Sequence, residues 1–312
     1  MRLLDPAQPA QGATVDVSRL LALRFPARQL DIRRRRRALA QLAGGQRSNF
    51  RGRGIEFEEV RGYQAGDDIR AIDWRVTART GEAHTKMFHE ERERPVLLVV
   101  DQRPPMHFGS RHCFKSVLAA ELAALLAWSA LTANERVGGL LLRAEDHWEM
   151  RPRNSRRTVL ALLSALADDV GPGSPGADYT PRFADLLRSA RRVARPGSSL
   201  FLISDFDGCD SEEARRELFQ LARHTEITGI YVSDPLEAKL PPAGEYTVTD
   251  GRDRIDLDTA DRALEAAFAT EFERRVAGCR EQFERLGLPL LEAKTDDVPL
   301  ALLRRFYGDG SA

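Results

Sequence analysis

Between Pro95 and Tyr307, short apolar runs alternate with longer stretches whose apolar residues recur every three or four positions. The runs Val96–Val100, Arg136–Leu142, Ser199–Ile203, Glu226–Val232 and Leu288–Ala293 read as buried strands, and Trp148–Met150 as a short edge strand. Helical spacing marks Arg111–Thr132, where Phe114, Val117, Leu118, Leu122, Leu125 and Leu126 share a stripe. The same spacing predicts helices over Ser155–Leu166, Pro181–Ala194, Ser211–His224, Leu264–Leu286 and Pro299–Tyr307. Ser155 and Thr180 stand where caps are wanted, Thr180 just ahead of a proline at the first helical position. Glu245–Thr249 and Arg254–Leu257 predict a hairpin around Asp250-Gly251. Strands alternating with helices of this length predict an α/β domain with a mainly parallel sheet. Asp101, Asp205 and Asp234 each end a strand. Sites in open α/β sheets lie outside the carboxyl ends of the strands, so Asp101 and Asp205 are expected on one rim. Whether Asp234 joins them is left open.

The texture before Pro95 differs. Gln29–Leu42 reads as a short helix with Leu30, Ala38 and Leu42 partly buried, and it carries five consecutive arginines, Arg33 to Arg37. Residues 44–54 are turn-rich. From Ile55 to Glu93 charges and aromatics alternate, with acids and arginines well matched. Ile69, Ile72 and Trp74 mark a short apolar element, Asp73 is placed to meet a nearby arginine, and Ala83–Phe88 reads as a strand. The expectation is an irregular segment laced by Arg–carboxylate pairs and packed against the α/β domain. The division expected is 1–94 for arm and segment, and 95–312 for the α/β domain.

Composition narrows the function classes. The 312 residues are 42% hydrophobic and 30% charged, an ordinary globular balance. Formal net charge is zero, which speaks against a whole-protein nucleic-acid binder. The first 54 residues nevertheless hold twelve Arg against three Asp. Arg33–Arg37 is thus either a solvated helix start or a basic arm for an acidic partner, RNA or anionic lipid, and no aromatics interleave to support nucleic-acid stacking. Cys113, Cys209 and Cys279 are far apart and form no CxxC pair, which suits a reduced, cytoplasmic protein. Met1–Leu21 predicts no signal peptide. The apolar stretch Val117–Ala133 carries Glu121 and many alanines, so it reads as a buried helix, with membrane contact at most peripheral. The glycines of residues 44–54 lack the Lys-Ser/Thr end of a phosphate loop, and neither a Gly-x-Ser-x-Gly elbow nor a His-Glu-x-x-His pair occurs. A hydrolase reading would have to draw on Asp101, Asp205, His84, His89, His107 and His112, with no visible orienting third group.

Residues 51–109 resemble the DUF58 family of prokaryotic proteins. The matching pieces are Arg51-Gly52-Arg53-Gly54, Glu56-Phe57, Arg61-Gly62-Tyr63, Gly66-Asp67-Asp68, Arg70, Ile72-Asp73-Trp74, Ala78-Arg79, Lys86, Phe88, Glu90-Glu91, the strand to Asp101, Met106 and Phe108-Gly109. The resemblance implies a von Willebrand factor A-like domain. It also implies a partnership with MoxR-type AAA+ ATPases or other von Willebrand A proteins in complex assembly or maturation. Such domains often hold Mg²⁺ through an Asp-x-Ser-x-Ser loop, a Thr from a second loop and an Asp from a third. Mg²⁺ suits that set because it takes six oxygens and tolerates water and hydroxyl ligands. Here the first loop reads Asp101-Gln102-Arg103-Pro104-Pro105. Asp101, Thr180 and Asp205 match three positions, but Arg103 and Pro105 replace both serines and supply no side-chain oxygen. The expectation is a degenerate metal site, Mg²⁺ weak or absent, with an Arg103–Asp101 salt bridge in the metal's place. Partner contact would then run through Arg103, Asp101 and Asp205, in a non-enzymatic interaction module.

Overall fold

The computed structural model describes residues 5–33, 55–64, 72–90, 95–144, 146–168, 182–249 and 254–308. The chain divides into two compact units: residues 42–93 form one, and the N-terminal stretch together with everything after Glu93 forms the other.

In the smaller unit, β1 (Ile55–Gly62) pairs antiparallel with β2 (His84–Glu90), with a bulge between Phe57 and Glu59. A helix, Trp74–Thr80, sits between them. Asp73 caps it, its Oδ1 accepting from the amides of Arg75 (3.0 Å) and Val76 (3.2 Å), and Gly81 ends it at φ +79°. The segment expected to be irregular is therefore a hairpin with a capped helix. The strand read at Ala83–Phe88 is present. Its partner escaped notice because Glu56, Glu58 and Glu59 break the apolar alternation. Trp74, expected in an apolar element, opens the helix and is 68% exposed.

The larger unit is built on a six-stranded sheet in the order β10-β7-β6-β3-β4-β5, comprising Leu290–Lys294, Glu226–Ser233, Ser199–Ser204, Val96–Gln102, Val137–Arg143 and His147–Arg153, and β8 (Glu245–Thr249) pairs antiparallel with β9 (Arg254–Asp258) in a separate hairpin. Within the six-stranded sheet all neighbours are parallel except β4 and β5. Helices flank the sheet, so the chain has the α/β, von Willebrand A-like arrangement expected. The period of two along each strand sorts the core into two layers. Val96, Leu98 and Val100 face one layer with Phe201, Ile203, Ile230 and Val232. Leu97 and Val99 face the other with Leu200, Leu202, Ile227 and Tyr231. Helices Lys115–Thr132, Arg156–Ala167 and Pro299–Tyr307 supply the first layer, and Phe183–Val193, Glu212–Ala222 and the C-terminal end of Arg262–Arg285 supply the second. A central strand covered on both faces has no polar side, which is why β3 reads as an unbroken apolar run.

A glycine lets the edge strand approach. A β-carbon on Gly138 would lie 2.7 Å from both the Met150 carbonyl oxygen and the Pro152 nitrogen, beside the irregularity where β4 meets β5. Backbone atoms cannot step aside as a side-chain tip can. Gly138→Ala is expected to cost about 1–3 kcal/mol by overpacking, seen as a lowered urea midpoint; an unchanged midpoint would mean that β5 shifts freely.

The Lys115–Thr132 helix is buried on every side from Lys115 to Ala130. By length and composition it could cross a membrane, yet it lies inside the protein. The sheet covers one face. Much of the rest is covered by the chain's own beginning: Leu20, Leu23, Ala27, Leu30 and Ile32 join the same core layer. Helix Val17–Ala22 and a 3-10 turn, Pro26–Gln29, carry these residues. Polar ties hold the cover. Trp128 donates its indole N–H to the Leu20 carbonyl (3.0 Å), and Ser129 donates to that of Leu30 (2.8 Å). Arg19 pairs with the buried Glu121 and donates to the Pro9 carbonyl (3.1 Å), and Arg33 pairs with Glu135 at 3.1 Å. Burial raises the Glu121 pKa, with Arg19 pulling the other way. Two expectations change here. Leu30 is extended (φ −108°, ψ 129°) and bridges Gly308, so the helix read over Gln29–Leu42 does not begin at Gln29; its residues 34–42, with Arg34–Arg37, lie outside the described residues. The boundary at 94/95 also does not separate the early residues from the α/β unit.

Candidate functional site

Parallel pairing of β3, β6 and β7 brings the residues after their carboxyl ends to one rim. Asp101 sits on β3 beside Ser204 of β6, since Val100 is in register with Ile203. Asp101 is fully buried, and its carboxylate is occupied from within the chain. Arg103 Nε lies 3.0 and 3.1 Å from its two oxygens, and Nη2 lies 2.8 Å from Oδ2. The Arg103 amide donates to Oδ1 (3.0 Å) and the Ser204 hydroxyl to Oδ2 (2.7 Å). Such fork geometry is what guanidinium offers and ammonium does not. Arg103 is itself enclosed: its side chain is 5% exposed, Nη2 also donates to the Asp207 carbonyl (3.1 Å), and its guanidinium carbon lies 5.5 Å from the Phe183 ring centre. Burial opposes the charge, but Asp101, with Asp205 and Asp207 behind it, holds the guanidinium pKa above the usual arginine value.

A second internal cation stands next to the first. Lys115, at the head of the long apolar helix, reaches Asp205 (2.9 Å) and Glu237 (2.7 Å) with its ammonium. Burial again disfavours the charge, and the two carboxylates overcome it to keep the lysine pKa raised. For Asp205 the balance is mirrored. Burial pushes its pKa up, but Lys115, the Asp207 amide and Arg103 together hold it below the usual carboxylate range. Phe206 follows in the left-handed region (φ +56°), clamped by the rings of Phe183, Tyr231 and Phe283 at 5.3–5.9 Å. That turn swings the Asp207 carbonyl toward Arg103.

Asp234, left open by the sequence, ends β7 on the same side but serves as a clasp. It accepts from the Ser110 amide (2.9 Å) and hydroxyl, from Thr295, and from the Leu236 amide (2.9 Å), tying the loop after β3 to the end of β10. Burial opposes its ionisation, and these donors keep its pKa low.

Of the residues expected at the site, the fold joins Asp101, Arg103 and Asp205 through the Asp101–Arg103 bridge and the Asp207 carbonyl. Thr180 lies outside the described residues. The histidines of the hydrolase reading are scattered. His112 is exposed and faces Gln11 (3.5 Å), His107 follows the 3-10 turn Pro104–Met106, and His84 and His89 belong to β2 in the other unit. Three participants went unforeseen: Ser204, Lys115 and Glu237. Lys115 left a trace, being one of only four lysines in the chain and heading a helix otherwise almost free of charge. Among the described residues, no group of three or more His, Cys, Asp or Glu side chains is placed to hold a metal ion. On this rim each of Asp101 and Asp205 is paired with a cation of the same chain, Arg103 and Lys115 respectively.

A family model described as "Protein of unknown function DUF58" matches residues 59–278. The uncharacterized proteins Rv1480 of Mycobacterium tuberculosis and Mb1516 of Mycobacterium bovis are each 31% identical over 259 residues, covering 82% of this chain and 79% of theirs. Among solved structures, the conserved hypothetical protein BatB from Bacteroides thetaiotaomicron aligns at 14% identity and a TM-score of 0.42, over 68% of this chain and 95% of that one.

Proposed function

The chain belongs to the DUF58 family, and from that footing we propose that it is a non-enzymatic protein-interaction module: a cytoplasmic adaptor or accessory protein working with a MoxR-type AAA+ ATPase in complex assembly or maturation. One observation carries the reading. The Asp101 carboxylate, which a metal or a reacting group would need, is held in a fork by Arg103 and capped by Ser204. The arginine supplies in permanent form the positive charge that a divalent ion would bring. The direct partner contact expected of Arg103, Asp101 and Asp205 is revised, because Arg103 and Asp101 are buried against each other: these residues fix the rim loops, and exposed Asp207 meets the partner.

A co-purification experiment tests this. The protein is mixed with a MoxR-type ATPase and ATP, with Asp207→Arg as the surface variant. A complex is expected with the wild type and a several-fold weaker one with the variant. Calorimetric titration with Mg²⁺, Mn²⁺ and Ca²⁺ is expected to show nothing tighter than about millimolar. Micromolar metal binding lost in Asp101→Asn, with phosphatase, peptidase or esterase turnover lost alongside it, would replace the adaptor with a metal-dependent hydrolase. Salt-dependent RNA or DNA binding, abolished by neutralising Arg33–Arg37, would replace it with a nucleic-acid binder.

A further inference from the structure

Cys209 and Cys279 are separated by seventy positions and belong to different elements, yet the fold brings them together. Cys209 lies in the loop after β6, and its amide donates to the Phe206 carbonyl (3.0 Å). Cys279 lies one helical turn before Phe283 in Arg262–Arg285, and the two are the buried residues of that helix. The Phe206 and Phe283 rings meet edge to face at 5.3 Å. One ring contact therefore places the turn containing Cys209 against the helical turn containing Cys279, inside one core layer. Both cysteines are free thiols.

We propose that Cys209 and Cys279 form a thiol-oxidation site, converted by a hydroperoxide to a reversible disulfide between the rim loop and the Arg262–Arg285 helix. This inference does not depend on the ATPase reading. The roles of the two thiols differ. Cys209 is 8% exposed and Cys279 1%, so the oxidant reaches Cys209 first. Each thiol bears on the ionisation of the other. The hydrogen bond from Cys279 holds the Cys209 pKa below the usual thiol value, against burial and the nearby Asp210 and Asp207 and with help from Arg215. Donating that bond, together with burial, pushes the Cys279 pKa up. Cys209, the more exposed of the two, is the attacking thiol, and Cys279 resolves.

The step balances. The Cys209 thiolate attacks one peroxide oxygen and the O–O bond breaks. The departing oxygen takes a proton and leaves as water or alcohol, and Cys209 becomes a sulfenic acid. Cys279 sulfur then attacks Cys209 sulfur and the S–O bond breaks. The hydroxide departs with the Cys279 proton as water. Two thiols lose two electrons, and the peroxide gains them. Cys113 stands apart: its thiol donates to the Thr295 carbonyl (3.5 Å), and burial, with Glu121 and Asp234, pushes its pKa up to about 12.

The test uses the full chain. Reduced protein is treated with hydrogen peroxide, the excess is removed, and the chain is denatured in N-ethylmaleimide and mapped by mass spectrometry. Of the three cysteines, two are expected to be lost to alkylation as a Cys209–Cys279 cross-link that dithiothreitol reverses, leaving Cys113 labelled. Cys279→Ser is expected to abolish the cross-link and leave Cys209 trappable by dimedone. Three labelled cysteines after treatment, or a cross-link through Cys113 or between chains, would overturn the proposal. The wild-type map decides the matter even if the serine variant fails to fold.

Discussion

Arg103→Met is expected to destabilise the protein by about 3–5 kcal/mol, the cost of leaving a buried charge without its partner. Asp101 is fully enclosed, and water cannot replace the fork that Arg103 provides. Net stability of a domain is typically about 5–15 kcal/mol, so this single change should remove a large part of it. Urea denaturation followed by far-UV circular dichroism reads the effect. The companion Asp101→Asn should cost a similar amount, because it strands the guanidinium instead. The double variant separates pair energy from packing. If the fork is what matters, Arg103→Met combined with Asp101→Asn will be much more stable than the sum of the single losses implies. A single variant within about 1 kcal/mol of wild type would show that solvent reaches the pair, and the view of Arg103 as a resident cation would fall with it.

The second large effect concerns the cover over the long helix. Removing residues 1–33 takes away Leu20, Leu23, Leu30 and Ile32, all buried in the main core layer. Each such side chain contributes about 1.5–3 kcal/mol by burial. Four together rival the whole stability of a domain. The truncation also takes Arg19 from the buried Glu121 and removes the Arg33 contact of Glu135. The shortened protein is expected in the insoluble fraction, or as a species that binds a hydrophobic dye and has lost its near-UV signal. A soluble truncation with a native-like cooperative transition would show that the beginning of the chain is an accessory and not part of the core.

The contrast between what sequence revealed and what it hid follows from the range of the interactions. Strands such as Val96–Val100 and Ser199–Ile203 were legible because parallel pairing buries both faces and writes a continuous apolar run. The rim was legible for the same reason, since Asp101 and Asp205 mark where those runs stop. The Arg103–Asp101 bridge needed only two neighbouring residues and a proline-rich loop. By contrast, the cover formed by Leu20 to Ile32 has no internal period, and its apolar residues make sense only opposite Trp128 and Ser129, about a hundred positions away. Ser204, Lys115 and Glu237 come from three different elements, and no local pattern announces a cluster of that kind. In the smaller unit, β1 was hidden by its own glutamates, because a short hairpin strand need not bury an alternating face.

The buried Lys115–Thr132 helix also bears on how this protein is made. During synthesis the chain from Pro9 to Arg33 leaves the ribosome before the helix does, so the cover is waiting when the apolar segment emerges. A circular permutant that moved residues 5–33 behind Tyr307 would reverse that order. The same final contacts could form, but for most of translation a segment long and apolar enough to be taken for a membrane span would stand uncovered before the targeting machinery of the cell.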